Sequence, residues 1–169
     1  MQFRKEKVVI RDTEASSLLP GTIFNEIVKS GQLRACFPYE SEMRESNLFI
    51  KRMKDHCHLY AVYYSNILCG AAWITYWEHK TARLTFAAFK TSARLYFYDI
   101  MKETARQLVH LRDSDGNFYY DSLYGIIEED NKKVIRAVRL SGLKKTGFIP
   151  NFYGIRKNAV IFSLTRSYF

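Results

Sequence analysis

The sequence predicts an α+β fold: one mostly antiparallel sheet with a single parallel pair that splays, and helices on both faces. Three observations predict it. Residues 59–89 are rich in β-branched and aromatic residues broken by two short turn signals, as in an antiparallel meander. Residues 92–111 change to a spacing of three and four, the period of an amphipathic helix. Residues 122–127 then form a near-continuous apolar run, as expected at a sheet centre. A strand, a helix and a strand in that order imply a crossover between parallel neighbours.

The elements follow in order. Lys7–Arg11 is a short β-branched run and a first strand. Pro20–Lys29 is a helix, with Pro20 in its first turn, Ile23 and Ile27 on one face and Gly31 as a stop. Pro38 to Lys54 is a second helix with a less regular face of Met43, Asn47 and Ile50. Leu59–Tyr64 and Ile67–Trp77 are strands joined by Ser65-Asn66. Glu78-His79-Lys80 turns the chain into the alternating strand Arg83–Phe89. Ser92–Leu111 is the long helix, with Phe97, Ile100, Met101, Thr104, Ala105, Leu108 and Leu111 on its inner side. Asp113–Asn117 is a loop, and Ser122–Ile127 the central strand. Asn131–Ser141 is a helix with Val134, Ala137, Val138 and Ser141 inside and Lys132, Arg136 and Arg139 outside. Thr146–Tyr153 and Ala159–Thr165 close the sheet as a hairpin. No repeat and no linker interrupts the order, so residues 1–169 read as one domain.

Composition excludes several classes. With 47% apolar and 15% aromatic residues, the 169-residue chain is not disordered, and 3 Pro with 8 Gly exclude collagen-like sequence. No apolar run reaches the ~20 residues of a membrane span. The N-terminus is charged and lacks the apolar stretch of a signal peptide, so we expect a cytoplasmic protein with no membrane partner. Three cysteines, Cys36, Cys57 and Cys69, make no disulfide framework. His56-Cys57-His58, with His79 or Cys69, is a conceivable zinc set if His56 and His58 share a strand face. Nothing fixes its spacing, and buried or surface thiols are the preferred reading.

Charge is unevenly placed. Residues 1–130 balance 17 basic against 17 acidic side chains, whereas residues 131–169 hold nine basic ones and no Asp or Glu. The whole net charge of +9 therefore lies in the last 39 residues, a region suited to a polyanionic or protein partner, or to solvent.

Asn131, then Gly142-Leu143, then Gly147, then the alternating strand 158–166 form a series at family-like spacings. With the element order, this series resembles the GNAT acyltransferase superfamily, notably the ribosomal-protein N-terminal acetyltransferases and small GNAT-like proteins of phages and prophages. Leu143 stands where the family usually has Phe. The resemblance implies an N-acyltransferase that moves an acetyl or acyl group from acyl-coenzyme A to an amine, on a small molecule or a protein N-terminus. It assigns contacts with acetyl-CoA or CoA to Phe89, Lys90, Thr91, Ser92, Ala93, Arg94, Leu95 and Asn131. In the family this loop is glycine-rich and holds a pyrophosphate on backbone N–H groups; here it has no glycine, and Lys90 and Arg94 supply charge. An ordinary helix cap explains the loop equally well.

The family's proton-donating Tyr is absent: its counted positions are Val138 and Leu143. Glu128, at the end of the central strand, is the first candidate for the base that takes the amine's proton, with Glu129 and Asp130 as rivals; strand alternation would put Glu128 and Asp130 on one face. A solvated acidic cluster is the alternative. Trp73, Trp77, Tyr119, Tyr120, Tyr124 and Tyr153 could line a substrate cleft or simply the core. The competing function, which the likeness to phage- and prophage-encoded proteins suggests, is a catalytically inactive GNAT-fold binding or assembly protein with a basic C-terminal surface. A nucleic-acid binder unrelated to the family rests on charge alone.

Overall fold

The computed structural model describes residues 8–13, 18–37, 45–89 and 96–168. The elements are β1 (Val8–Asp12), α1 (Leu19–Lys29), α2 (Leu33–Cys36), α3 (Ser46–His56), β2 (His58–Tyr64), β3 (Ile67–Glu78), β4 (Thr81–Ala88), α4 (Phe97–Val109), β5 (Ser122–Glu128), α5 (Lys132–Leu140), β6 (Lys144–Ile149) and β7 (Ala159–Thr165), then a 3₁₀ turn at Arg166–Tyr168. The seven strands are ordered β1-β2-β3-β4-β5-β7-β6. The β4–β5 pair is parallel, and the pairs β1–β2, β2–β3, β5–β7 and β6–β7 are antiparallel. This is the predicted mixed α+β sheet. Among the described residues no helix is long and apolar enough to cross a membrane.

Residue packing divides the chain into two compact units, Met1–Thr75 with Thr85–Ile100 and Tyr76–Leu84 with Met101–Phe169; the boundaries fall inside β3, β4 and α4. In the first unit, Ile23, Phe24 and Ile27 of α1 and Phe49 and Met53 of α3 bury one apolar face each against Leu59 and Ala61 of β2 and Ala71 and Trp73 of β3. α1 ends at Gly31, whose φ of +69° suits glycine: the N–H groups of Gly31 and Gln32 return to the carbonyls of Val28 and Ile27. The β2–β3 and β3–β4 hairpins turn on Ser65-Asn66 and His79-Lys80, all four at positive φ, which matches strand twist in two-residue turns. In the second unit, β5 pairs with β7 over its whole length, and Leu123, Phe162, Leu164, Leu108 and Tyr120 are fully or almost fully buried.

Several boundaries differ from expectation. The second helix begins at Ser46 and runs to His56; residues 38–44 of the expected span lie outside the described residues. The four-residue α2 carries too little periodicity to be foreseen. The long helix runs Phe97–Val109, and the expected residues 92–95 lie outside the described residues. The first strand of the closing hairpin is Lys144–Ile149, not Thr146–Tyr153. It ends before Pro150, which lacks an N–H, and Asn151 at φ +54° leads into a turn. Its register slips between Lys145 and Gly147, a bulge that alternation alone does not reveal. Val134 shares the face of Ala137, Val138 and Ser141 as expected, but in the first turn of α5 it is 41% exposed, whereas the other three are buried.

Candidate functional site

The β4–β5 ladder is short. It joins Thr81–Arg83 to Ser122–Tyr124, whereas β4 continues to Ala88 and β5 to Glu128. Hydrogen-bond alternation says where the backbone beyond the ladder points. The Glu129 N–H donates to the Asn158 carbonyl at 2.9 Å, continuing the β5–β7 register past Glu128–Ala159. Residues facing a partner alternate in an antiparallel ladder. Ile127 and Gly125 therefore turn their N–H and C=O to β7, and Glu128, Ile126 and Tyr124 turn theirs to the opposite edge, the one used by β4 up to Tyr124. On β4, the Phe89 N–H donates to the Cys69 carbonyl on β3 at 2.8 Å, so Ala88 and Phe86 turn theirs away from β3.

Each outward edge carries one capping side chain. Tyr153, in the β6–β7 connection, donates its hydroxyl to the Ile126 carbonyl at 3.1 Å. Gln32, just past the end of α1, donates its side-chain N–H to the Ala88 carbonyl and a second to the Ser30 hydroxyl. Sequence reasoning missed Gln32. A contact across 56 residues leaves no local signal.

Glu128 ends β5 with its side chain 38% exposed and Oε1 3.7 Å from Lys157 Nζ. The chain leaves the strand there: the Asn131 N–H returns to the Glu128 carbonyl at 2.9 Å, so Glu129 and Asp130 lie in a turn. The expected strand alternation through Asp130 does not hold. Glu129 is engaged structurally, its Oε2 accepting from Asn158 Nδ2 at 2.9 Å. Asn131 is the N-cap of α5, its Oδ1 accepting from the Val134 N–H at 3.3 Å. At the other end Gly142, φ +94°, closes the helix: its N–H returns to the Arg139 carbonyl and that of Leu143 to Val138. Asn131 and Gly142 thus act as the helix start and stop expected of them.

Of the coenzyme candidates, Phe89 is buried at the end of β4, while Lys90, Thr91, Ser92, Ala93, Arg94 and Leu95 lie outside the described residues. Two aromatic candidates are core residues: Trp73 is buried and stacked on Phe37 at 5.5 Å, and Tyr120 is fully buried. The side chain of Trp77 lies outside the described residues. His56 closes α3 and His58 opens β2, so they share no strand face, and Cys36, Cys57 and Cys69 form no disulfide. Among the described residues, no group of three or more His, Cys, Asp or Glu could hold a metal ion.

No protein-family model matches the chain, and no curated protein matches it in sequence. Solved structures do match in three dimensions. A ribosomal-protein alpha-N-acetyltransferase in complex with coenzyme A (RimL) superposes with a TM-score of 0.67 at 10% identity, over 94% of each chain. The chain has the GNAT fold. A second neighbour is a GNAT-family acetyltransferase from Elizabethkingia anophelis with acetyl-CoA bound, at TM-score 0.61 and 14% identity over 95% of this chain and 99% of that one. A third is a chimera of the Vibrio cholerae spermidine N-acetyltransferase SpeG, at TM-score 0.65 and 15% identity over 95% and 96%. The GNAT expectation drawn from the residue series and element order is met at the level of fold.

Proposed function

We propose that this protein is an N-acyltransferase that moves an acetyl or other acyl group from acyl-coenzyme A to an amine. The observation that carries the reading is the parallel β4–β5 ladder of three residue pairs, in a fold shared with acetyltransferases whose structures hold coenzyme A or acetyl-CoA. The donor supplies a thioester carbonyl open to attack by a neutral amine. Its amide-bearing arm suits the outward backbone of β4 at Phe86, which turns its polar groups from β3 and lies before the Ala88 carbonyl that Gln32 occupies; an extended ligand can pair there as a strand does. Phe89 directly follows that strand. Lys90 to Leu95, leading toward α4, would hold the pyrophosphate with backbone N–H groups and the Lys90 and Arg94 charges. Asn131, whose Oδ1 caps α5, would offer its Nδ2.

Glu128 takes the proton that the attacking amine loses, directly or through one water, because its carboxylate is partly exposed beside the outward edge of β5. As the carbon–sulfur bond breaks, the departing thiolate needs a proton, which the Tyr153 hydroxyl on the same edge would give on releasing its bond to the Ile126 carbonyl. The acceptor is an amine, as in the spermidine and ribosomal-protein acetyltransferases among its structural neighbours.

Calorimetry with acetyl-CoA, followed by thiol release with a panel of amines, tests this. Stoichiometric binding and amine-dependent CoA release are expected. Absence of both, in protein shown to be folded, overturns the reading.

A further inference from the structure

Helix α5 carries four cations and no carboxylate. Lys132, Arg136 and Arg139 follow one another at spacings of four and three, so they form one row, with Lys133 beside it; all four are exposed. Ala137 and Val138 are buried on the opposite face. Such a row works against its own helix. Like charges three and four apart repel, and Lys132 and Lys133 stand at the positive end of the helix dipole. The offset is confined to the first turn: Lys132 Nζ donates to the Glu129 carbonyl at 2.8 Å, and Glu128, Glu129 and Asp130 precede the helix, but among the described residues no ion pair reaches Lys132, Lys133, Arg136 or Arg139, and residues 131–169 contain no acid. Two residues past Gly142 the exposed Lys144 and Lys145 open β6, the last strand of the sheet order.

We propose that the α5 row, continued by Lys144 and Lys145, docks the phosphate backbone of a nucleic acid without reading its sequence. The reading is independent of acyl transfer. Charge complementarity selects the partner class. A polyanion relieves the repulsion along the helix, and the seven residue steps of helix from Lys132 to Arg139 span about 10 Å, enough for successive phosphates. Arg136 and Arg139 present planar forks that suit phosphate oxygens. A protein partner would instead be met by an apolar centre with charge at the rim. Here the centre of the face is charged, and the exposed Leu140 lies beside it. A row of Lys and Arg alone positions a backbone and carries little base information.

The test is fluorescence anisotropy against a labelled random-sequence single-stranded DNA, its duplex, a glutamate-rich peptide of matched charge, and phosphatidylserine vesicles. Both DNAs should bind, with log K falling linearly against log salt. Arg136→Gln with Arg139→Gln should reduce that slope by about 1.4 on the single strand and about 1.8 on the duplex, equally for unrelated sequences. Lys144→Gln with Lys145→Gln, on a separate element, should act in the same direction, which keeps the test valid if the helix variant melts early. Arg34→Gln with Lys51→Gln, exposed on α2 and α3, should change nothing. The proposal is overturned if the peptide or the vesicles bind as tightly as DNA, if neither variant pair alters the slope, or if no DNA binds at low salt.

Discussion

The Tyr153 hydroxyl donates a hydrogen bond to the Ile126 carbonyl at 3.1 Å, two residues before Glu128 and on the same backbone edge of β5. Removing that hydroxyl separates two roles. Tyr153→Phe keeps the ring, and its loss of one hydrogen bond should lower stability by about 1 kcal/mol. If the hydroxyl also protonates the departing thiolate, kcat should fall by about 10²-fold with acetyl-CoA affinity retained. Steady-state kinetics beside a urea melt gives both numbers. An unchanged kcat with a lowered melt assigns the residue to the fold alone.

Glu128 has neighbours of the same charge but different attachment. Glu129 holds Asn158 through both its backbone N–H and its carboxylate, whereas the Glu128 carboxylate meets Lys157 loosely at 3.7 Å. Glu128→Gln should therefore cut turnover by about 10²–10⁴-fold while acetyl-CoA still binds. Glu129→Gln should lower stability and leave most of the turnover. Single-turnover acetylation of an amine panel by the two variants and by Asp130→Asn distinguishes them. A Glu128→Gln enzyme as fast as the parent would remove the carboxylate base from the mechanism.

The contrast between these residues shows what the sequence could and could not carry. Asn131 and Gly142 were legible because a helix cap is local: one side-chain oxygen, or one positive φ, within a few residues of the bonds it closes. β7 was legible to the residue because its apolar run, alternating from Val160 on, is bounded by Asn158 and Arg166. The start of β6 was not, because a bulge at Lys145–Gly147 breaks the period. Trp73 and Tyr120 were open between core and cleft, since strand spacing gives a side chain its face but not what covers that face. Gln32 on Ala88 and Tyr153 on Ile126 span 56 and 27 residues and exist only once the sheet has formed.

The two ends of α5 should differ in sensitivity. Gly142 sits at φ +94°, where an L residue is strained, so Gly142→Ala should destabilise by about 1–2 kcal/mol. Asn131→Ala loses a cap bond of 3.3 Å, toward the weak end of the range, and should cost about 0.5–1 kcal/mol. Urea midpoints at constant m-value check both. A Gly142→Ala variant as stable as the parent would contradict the left-handed helix stop.

Burial should make two of the three thiols inert and tie stability to alkaline pH. Desolvation pushes the Cys36 thiol up from 9.0 to about 12 and the Cys69 thiol to about 11, and the Cys69 sulfur also lies 3.3 Å from the Val62 carbonyl. The folded state thus holds these protons more tightly than the unfolded state does. Their contribution to stability is complete below pH 9 and is lost as pH rises from 9 toward 11 and 12. At pH 9, iodoacetamide should label Cys36 and Cys69 far more slowly in the native protein than in urea, as peptide mass mapping can read. The urea midpoint should decline above pH 9, and Cys36→Ala with Cys69→Ala should flatten that decline. Equal labelling rates in native and unfolded protein would mean that neither thiol is shielded as the packing around α2 and β3 requires.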